Sequence, residues 1–230
     1  MTVRSSCQSS PRIEVSRATP GDVASIQNVL YRVWLTTYPN KALGITVADI
    51  EEMYKDRNSD EALARIRERI SSASEITLVA KENGKVVGVC RVIRREDKDV
   101  MEAIYVLPEY QRLGIGSAIW REIEKLLDSN RKIIVQVATY NTDAIEFYKR
   151  CGFRDTGKRW EEKKFRLRSG TAIPAMEMLA KQEQEWKLGT MAPELNSPGS
   201  GQTATKPQAP HVSFHQQRTR PCIGSRPSVP

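Results

Sequence analysis

One segment of the sequence combines a strand, two closely spaced glycines and the start of a helix. Residues 101–119 read Met-Glu-Ala-Ile-Tyr-Val-Leu-Pro-Glu-Tyr-Gln-Arg-Leu-Gly-Ile-Gly-Ser-Ala-Ile, and Gly114 and Gly116 stand where the helix begins. Glycines at such a point let the backbone approach a ligand closely. The free N–H groups and positive dipole end of the helix favour an anion. The segment therefore predicts a phosphate-binding site, although a helix start with two turn glycines also explains these residues.

Two other kinds of glycine-rich phosphate site do not fit this segment. A dinucleotide-binding fingerprint needs a third glycine, and Ile119 occupies that position. A P-loop needs Gly-Lys-Ser/Thr, which the sequence lacks.

A second informative segment is Asn141-Thr-Asp-Ala-Ile-Glu-Phe-Tyr-Lys-Arg-Cys-Gly-Phe153. At about 3.6 residues per turn, Asn141, Ile145 and Tyr148 share one face of the predicted helix. Asn141 alone is also explained as a helix N-cap, and Tyr148 alone as a half-buried aromatic residue.

The placement of histidine and cysteine excludes several chemistries. Both histidines, His211 and His215, lie near the C-terminus, so we expect no histidine-based triad and no histidine-ligated zinc in the core. The four cysteines form no Cys-x-x-Cys pair, so we expect no metal site and reduced thiols. Cys90 lies in an apolar run and is predicted to be core packing.

Composition divides the chain into a folded part and two loose ends. Seven of the twelve prolines lie beyond Gly189, among Gly, Ser, Thr and Gln residues, so this stretch cannot bury enough surface to fold. We expect residues 1–10 to be disordered, residues 11–181 to form one domain, and residues 182–230 to be a disordered tail. The net charge of +8 is read mainly as a solvated surface, with nucleic acid disfavoured as a partner. No apolar run suits a membrane helix or a signal peptide, so we expect a cytoplasmic protein without a membrane partner.

Hydrophobic periodicity predicts the order β-α-α-α-β-β-β-α-β-α-β-β. The predicted helices cover about 19–38, 46–55, 60–70, 115–127 and 141–150. The predicted strands lie at about 13–15, 76–80, 86–93, 100–107, 133–138, from 153 onward, and 173–179. The fold class is therefore α/β (α+β): a mixed, mostly antiparallel sheet flanked by helices, with a central βαβ unit.

Together, in this order and spacing, the two segments resemble the GCN5-related N-acetyltransferase (GNAT) superfamily. Gln111, Gly114 and Gly116 match its acetyl-CoA motif, Gln/Arg-x-x-Gly-x-Gly/Ala. The second segment matches Asn-x-x-Ala-x-x-Phe-Tyr-x-x-x-Gly-Phe through Asn141, Ala144, Phe147, Tyr148, Gly152 and Phe153. The resemblance covers residues 11–181 and implies direct acetyl transfer from acetyl-CoA to a primary amine of a small molecule, protein or peptide. It implies no metal and allows a homodimer.

The resemblance also implies roles for individual residues. Backbone N–H groups of Arg112, Leu113, Gly114, Ile115 and Gly116, next to Gln111, would hold the CoA pyrophosphate. Ile104, Tyr105 and Val106 would pair with the pantetheine arm, and Asn141 would contact the cofactor. Tyr148 would protonate the departing thiolate. Glu102 would accept the amine's proton, as the corresponding glutamate does in many family members, often through water, unless Glu102 is simply an exposed strand residue.

The amine acceptor is less well specified. Tyr31, Trp34 and Tyr38 share a helical face and either line its pocket or belong to the core. Acidic residues of the second helix, Asp49, Glu51, Glu52 and Asp56, either attract a cationic amine or form a solvated face. The basic stretch 158–168 falls at the expected last hairpin and would repel polyamines. Two alternatives stay open: a CoA-binding protein without turnover, and a nucleic-acid-associated module that uses this basic stretch.

Overall fold

The structure is a computed structural model, and it describes residues 13–163, 165 and 167–180. The predicted loose N-terminus, residues 1–10, and the predicted tail, residues 182–230, lie outside the described residues.

The described residues form five α-helices and seven strands in the predicted order. The helices are α1 Val23–Thr37, α2 Val47–Met53, α3 Asp60–Ser71, α4 Ile115–Leu126 and α5 Thr142–Arg150. The strands are β1 Ile13–Arg17, β2 Glu75–Glu82, β3 Lys85–Arg94, β4 Lys98–Val106, β5 Lys132–Ala138, β6 Phe153–Glu162 and β7 Ile173–Ala180. Short 3₁₀ turns precede α1, α2 and α4.

The strands form one sheet in the order β1-β2-β3-β4-β5-β7-β6. Among the described strand pairs, β4 and β5 run parallel and the others run antiparallel. The parallel pair is joined through α4, which makes the central βαβ unit. The predicted fold class is confirmed.

Helices cover both faces of the first half of the sheet, because its strands are apolar on both sides. Val89 and Arg91 of β3 face α1 and α3, where they line a cavity with Ile26 and Ile66. Gly88, which precedes Val89, faces α4 instead, since a side chain at Gly88 would meet Ile119 at 3.1 Å. Cys90 is 1% exposed in the core, as predicted.

A second, smaller core lies where α1, α2 and the segment before β7 meet. Trp34, 3% exposed, is at its centre, stacked on Tyr38 with ring centroids 3.9 Å apart. Asp49 joins α2 to the segment before β7, because its carboxylate accepts a hydrogen bond from the Ser169 N–H at 2.7 Å. Asp49 is therefore a buried structural group, which corrects both readings offered for it from the sequence.

The basic stretch 158–168 begins in the last hairpin, as predicted, since β6 pairs antiparallel with β7. Its first part, through Glu162, belongs to β6. Lys158 pairs with Glu177 of β7 at 2.8 Å, and Arg159 pairs with Asp155 of its own strand. Cross-strand and same-strand carboxylates thus neutralise these two cations.

Candidate active site

The sheet opens between its two central strands. β4 and β5 pair at Lys98–Met101 and Lys132–Val135, and their pairing stops there. Beyond this point β4 continues to pair with β3, while β5 continues to pair with β7. The result is a gap between β4 and β5 inside the sheet, which leads into a cleft of about 940 Å³.

The edge of β4 that faces the gap carries main-chain groups that β3 does not use. In an antiparallel ladder, alternate residues direct their N–H and C=O groups away from the neighbouring strand. Ile104 and Val106 are those residues. The Ile104 N–H donates to the Tyr148 hydroxyl at 3.1 Å, and the Val106 carbonyl accepts from Gln111 Nε2 at 3.0 Å. Side chains from outside the sheet thus replace strand pairing at both points.

The N-terminus of α4 borders the same cleft. Gly114 precedes the helix with φ of +80°, and Arg112 has φ of +63°. Among the described residues no side chain caps the helix, so its first N–H groups lack intrahelical and side-chain partners within that part of the chain. The loop therefore presents an uncapped helix start to the cleft, a suitable arrangement for an anion.

Glycine is favoured at the two positions of this loop for different structural reasons. The left-handed backbone at position 114 favours glycine, although a side chain built there would meet nothing within 4 Å. A side chain at Gly116 would lie 3.2 Å from Phe147 Cε2, so Gly116 allows α4 to pack closely against α5. Sequence reasoning explained both glycines by ligand approach, and packing of the two helices accounts for the second one.

Most of the predicted cofactor residues line this one cleft. They are Ile104, Tyr105, Val106, Gln111, Arg112, Gly114, Gly116 and Asn141, together with the predicted acid Tyr148. Leu113 and Ile115 do not line it among the described residues: the Leu113 side chain is 63% exposed, and the Ile115 side chain is buried in the core.

Asn141 is the N-cap of α5. Its side-chain oxygen accepts a hydrogen bond from the Ala144 N–H at 3.1 Å, as one of its two sequence interpretations predicts. The neighbouring Tyr140 lines the cleft as well, and its hydroxyl donates to the Tyr38 carbonyl at 2.9 Å. Sequence reasoning missed Tyr140, although its position two residues after the end of β5 was a usable signal.

Tyr148 is 2% exposed and packs between Phe147 and Phe153. Burial raises its pKa well above the usual value of 10, even though the hydrogen bond from Ile104 acts in the opposite direction. Because Tyr148 Oη accepts that bond, its own proton is available for donation to another group.

Glu102 is the extra residue of a β-bulge in β4. Arg91 of β3 faces Ala103 and Val92 faces Met101, so Glu102 has no residue opposite it. Its carboxylate is paired with Arg91 Nη1 at 3.1 Å. It lines a small cavity under α1 and α3, and not the large cleft.

Arg91 holds a second carboxylate besides Glu102. Its Nε lies 3.0 Å from Glu75 Oε2, an ion-pair distance, although the two atoms do not meet hydrogen-bond geometry. Burial lowers the Arg91 pKa against the opposing effect of Glu102.

The aromatic residues predicted at the acceptor site divide between core and cleft. Trp34 belongs to the second core, and Tyr38 lines the cleft beside it. Tyr31 contacts Tyr54, and the Arg57 guanidinium lies 4.1 Å from its ring centre.

Within the described part of the chain, no three His, Cys, Asp or Glu side chains are grouped so that they could hold a metal ion. Over the same residues, no helix has the length and apolar character needed to cross a membrane.

Comparison with known proteins identifies the class. The sequence profile of the Acetyltransferase (GNAT) family matches residues 30–153, more than half of the chain. The chain belongs to the GNAT family. That match includes the gap between β4 and β5, the start of α4 and all of α5.

Three individual proteins similar to this chain share less than a third of its residues in the matched regions. An uncharacterised N-acetyltransferase of Mycobacterium tuberculosis is 29% identical over 107 residues, which is 42% of this chain and 64% of the relative. The PaiA N-acetyltransferase of Thermoplasma acidophilum, solved with coenzyme A, has a TM-score of 0.58 at 21% identity, over 74% of this chain and 99% of that one. A GNAT acetyltransferase of Streptococcus pneumoniae gives 0.55 at 23% identity, over 73% and 98%. These similarities in structure establish the fold.

Proposed function

We propose that this protein transfers the acetyl group of acetyl-CoA directly to a primary amine while both are bound. The observation that carries this proposal is the gap between β4 and β5, which opens beside the uncapped start of α4. The gap offers main-chain partners for an extended chain with amide groups. The start of α4 offers N–H groups for a pyrophosphate. Acetyl-CoA has both parts, joined in one molecule.

The residues around the gap suit this cosubstrate. The main chain from Arg112 to Gly116 would hold the pyrophosphate, and the gap-facing groups of Ile104 and Val106 would bind the pantetheine arm. Tyr105 and Asn141 line the same cleft. The relative from Thermoplasma acidophilum binds coenzyme A on the same fold, which supports this assignment.

The reaction needs a base, an oxyanion donor and an acid. An amine must be neutral to attack a thioester, and we assign the removal of its proton to Glu102. A gap-facing N–H of β4 is a suitable donor to the tetrahedral oxyanion. Tyr148 would donate to the departing thiolate. Because its pKa is raised, Tyr148 would stabilise the thiolate by a hydrogen bond more than by full proton transfer.

The acceptor end of the cleft is formed by Thr36 and Thr37 of α1, by Tyr38 just after that helix, and by Tyr140 after β5. These side chains are uncharged, and the charged residues of the cleft lie on the α4 loop and on α5: Arg112, Asp143, Glu146 and Arg150. This distribution favours an amine whose adjoining part is uncharged over a polyamine.

The test is release of CoA thiol from acetyl-CoA with a panel of amines: alkyl monoamines, arylamines, peptide N-termini and a polyamine. We expect release above the acetyl-CoA-only background with at least one monoamine or peptide. Calorimetric binding of acetyl-CoA without release across the panel would favour the non-catalytic alternative. No binding at all would overturn the assignment of the cleft.

A further inference from the structure

Glu102 is separated from the cleft in which the amine must react. It lines the small cavity under α1 and α3 but not the large cleft, and residues of β4 lie between these two spaces. If Glu102 is the base, a group between the two spaces must carry the proton.

Ala103 and Tyr105 form that boundary, because both line the cleft and the small cavity. Side chains alternate along a strand, so Ala103 and Tyr105 share a face, and the bulge places Glu102 near the same face. Ala103 has no group that transfers a proton. Tyr105 has a hydroxyl, and it is the boundary residue able to act.

The small cavity is large enough to hold water and has a polar side. Its volume of about 50 Å³ exceeds the ~15 Å³ that one water molecule needs. Its charged and polar lining residues besides Tyr105 are Glu102, Arg91, Arg69 and Thr77, and the rest of the lining is apolar. Thr77 is 8% exposed, and its hydroxyl has no hydrogen-bond partner among the described residues, as expected for a group that binds water.

The cleft side of the boundary holds a second phenol. Tyr38 lines the cleft together with Tyr105. Burial raises the pKa of both phenols, and the negative charge of Glu102 adds to the effect. Both therefore stay protonated, which suits hydroxyls that pass a proton on and do not store a negative charge.

We propose that the Tyr105 hydroxyl relays the amine's proton from the cleft, through water in the small cavity, to Glu102. This inference rests on the proposed acetyltransferase function. The amine N–H bond breaks as a proton passes to the hydroxyl oxygen of Tyr105. The hydroxyl gives its own proton to water, and water gives one to the Glu102 carboxylate. Tyrosine and water end unchanged, the amine has lost one proton, Glu102 has gained it, and no group is oxidised or reduced.

The test compares Tyr105→Phe, Glu102→Gln and the double variant with the wild-type enzyme. Tyr105→Phe keeps the ring and removes the hydroxyl, so kcat should fall by at least about tenfold with the KM for acetyl-CoA unchanged. Because two members of one relay act as a unit, the double variant should be no slower than the slower single variant.

Tyr54→Phe is the matched control. Tyr54 is another half-buried phenol whose pKa the Glu102 charge raises, but it lines neither space. Its variant should retain wild-type kcat. An unchanged kcat in Tyr105→Phe, or losses that multiply in the double variant, would overturn the relay while the wild-type enzyme turns over. Absence of turnover in the wild-type protein would overturn the proposed function and the relay together.

Discussion

Tyr148 combines two roles in a single hydroxyl. Its oxygen accepts the hydrogen bond from Ile104 N–H at 3.1 Å, and its proton is left for another partner. The same group therefore satisfies a strand edge in the free protein and is available to a thiolate in the proposed reaction. Its burial at 2% exposure keeps it neutral through the whole physiological pH range.

Tyr148→Phe should lower kcat with little change in the affinity for acetyl-CoA. Phenylalanine keeps the packing against Phe147 and Phe153, but it lacks the hydroxyl that would donate to the departing thiolate. Acid assistance is worth about 10²–10⁴-fold, and less where water substitutes. The variant also leaves the Ile104 N–H unpaired, so the free energy of unfolding should fall by about 1–3 kcal/mol. Steady-state kinetics and thermal melting check both effects; a raised KM with unchanged kcat would make Tyr148 a binding residue.

Glu102→Gln should lower turnover more at low pH than at high pH, because more of the amine is already neutral at high pH and needs no base. A kcat/KM profile over pH measures this. Glu75→Gln is the matched control, since Glu75 pairs with the same Arg91 but does not line the small cavity. An equal loss at every pH would remove Glu102 from the role of base.

At the scale of elements, the loop before α4 has the turn and the helix start that its glycines predict, and its packing against neighbouring elements adds features that the sequence does not reveal. The strand, loop and helix follow from hydrophobic periodicity and from the turn at Gly114, since these are local signals. The bulge at Glu102 depends on register with β3, and the Gly116–Phe147 contact depends on how α4 meets α5. Such features arise from packing between distant segments, so no local pattern predicts them.

The assignment of the α4 loop can be tested by two matched glycines. Gly114 and Gly84 have φ of +80° and +81°, and a side chain at either would meet nothing within 4 Å. Alanine in this conformation costs about 1–2 kcal/mol at each position. Gly114→Ala should weaken acetyl-CoA binding by at least about tenfold because the loop shifts, whereas Gly84→Ala, in the β2–β3 turn, should lose similar stability and keep its affinity. Calorimetry measures the affinities. Equal affinities in the two variants would place the pyrophosphate elsewhere.

At the scale of the whole molecule, Asp49 connects segments that are 120 residues apart. Burial alone would raise its pKa, but hydrogen bonds from Thr46 and Ser169 lower it from 3.8 to about 2. Because the folded state lowers the pKa of Asp49, its ionised carboxylate contributes stability that is fully present above pH ~4. This contribution is lost as the pH falls through about 2. The shift corresponds to about 2 kcal/mol.

Asp49→Asn should therefore lower the free energy of unfolding at pH 7 by about 1–3 kcal/mol and reduce its further loss between pH 4 and 2. Urea titrations at several pH values measure both effects. Asp155→Asn is the control, because Asp155 also has a lowered pKa but forms an exposed pair with Arg159, which solvent screens. Comparable losses in both variants would show that the link from Asp49 to Ser169 contributes no special stability.

The gap between β4 and β5 also limits which molecules can reach the main chain of β4. An unpaired strand edge at the outside of a sheet is open to any other polypeptide and invites aggregation. Here the unpaired edge lies in the middle of the sheet, between two strands that diverge after Met101 and Val135. A folded polypeptide is too wide to reach this edge, whereas a single flexible ligand with amide groups is narrow enough. The width of a molecule therefore decides whether it reaches the edge, before any side chain recognises it.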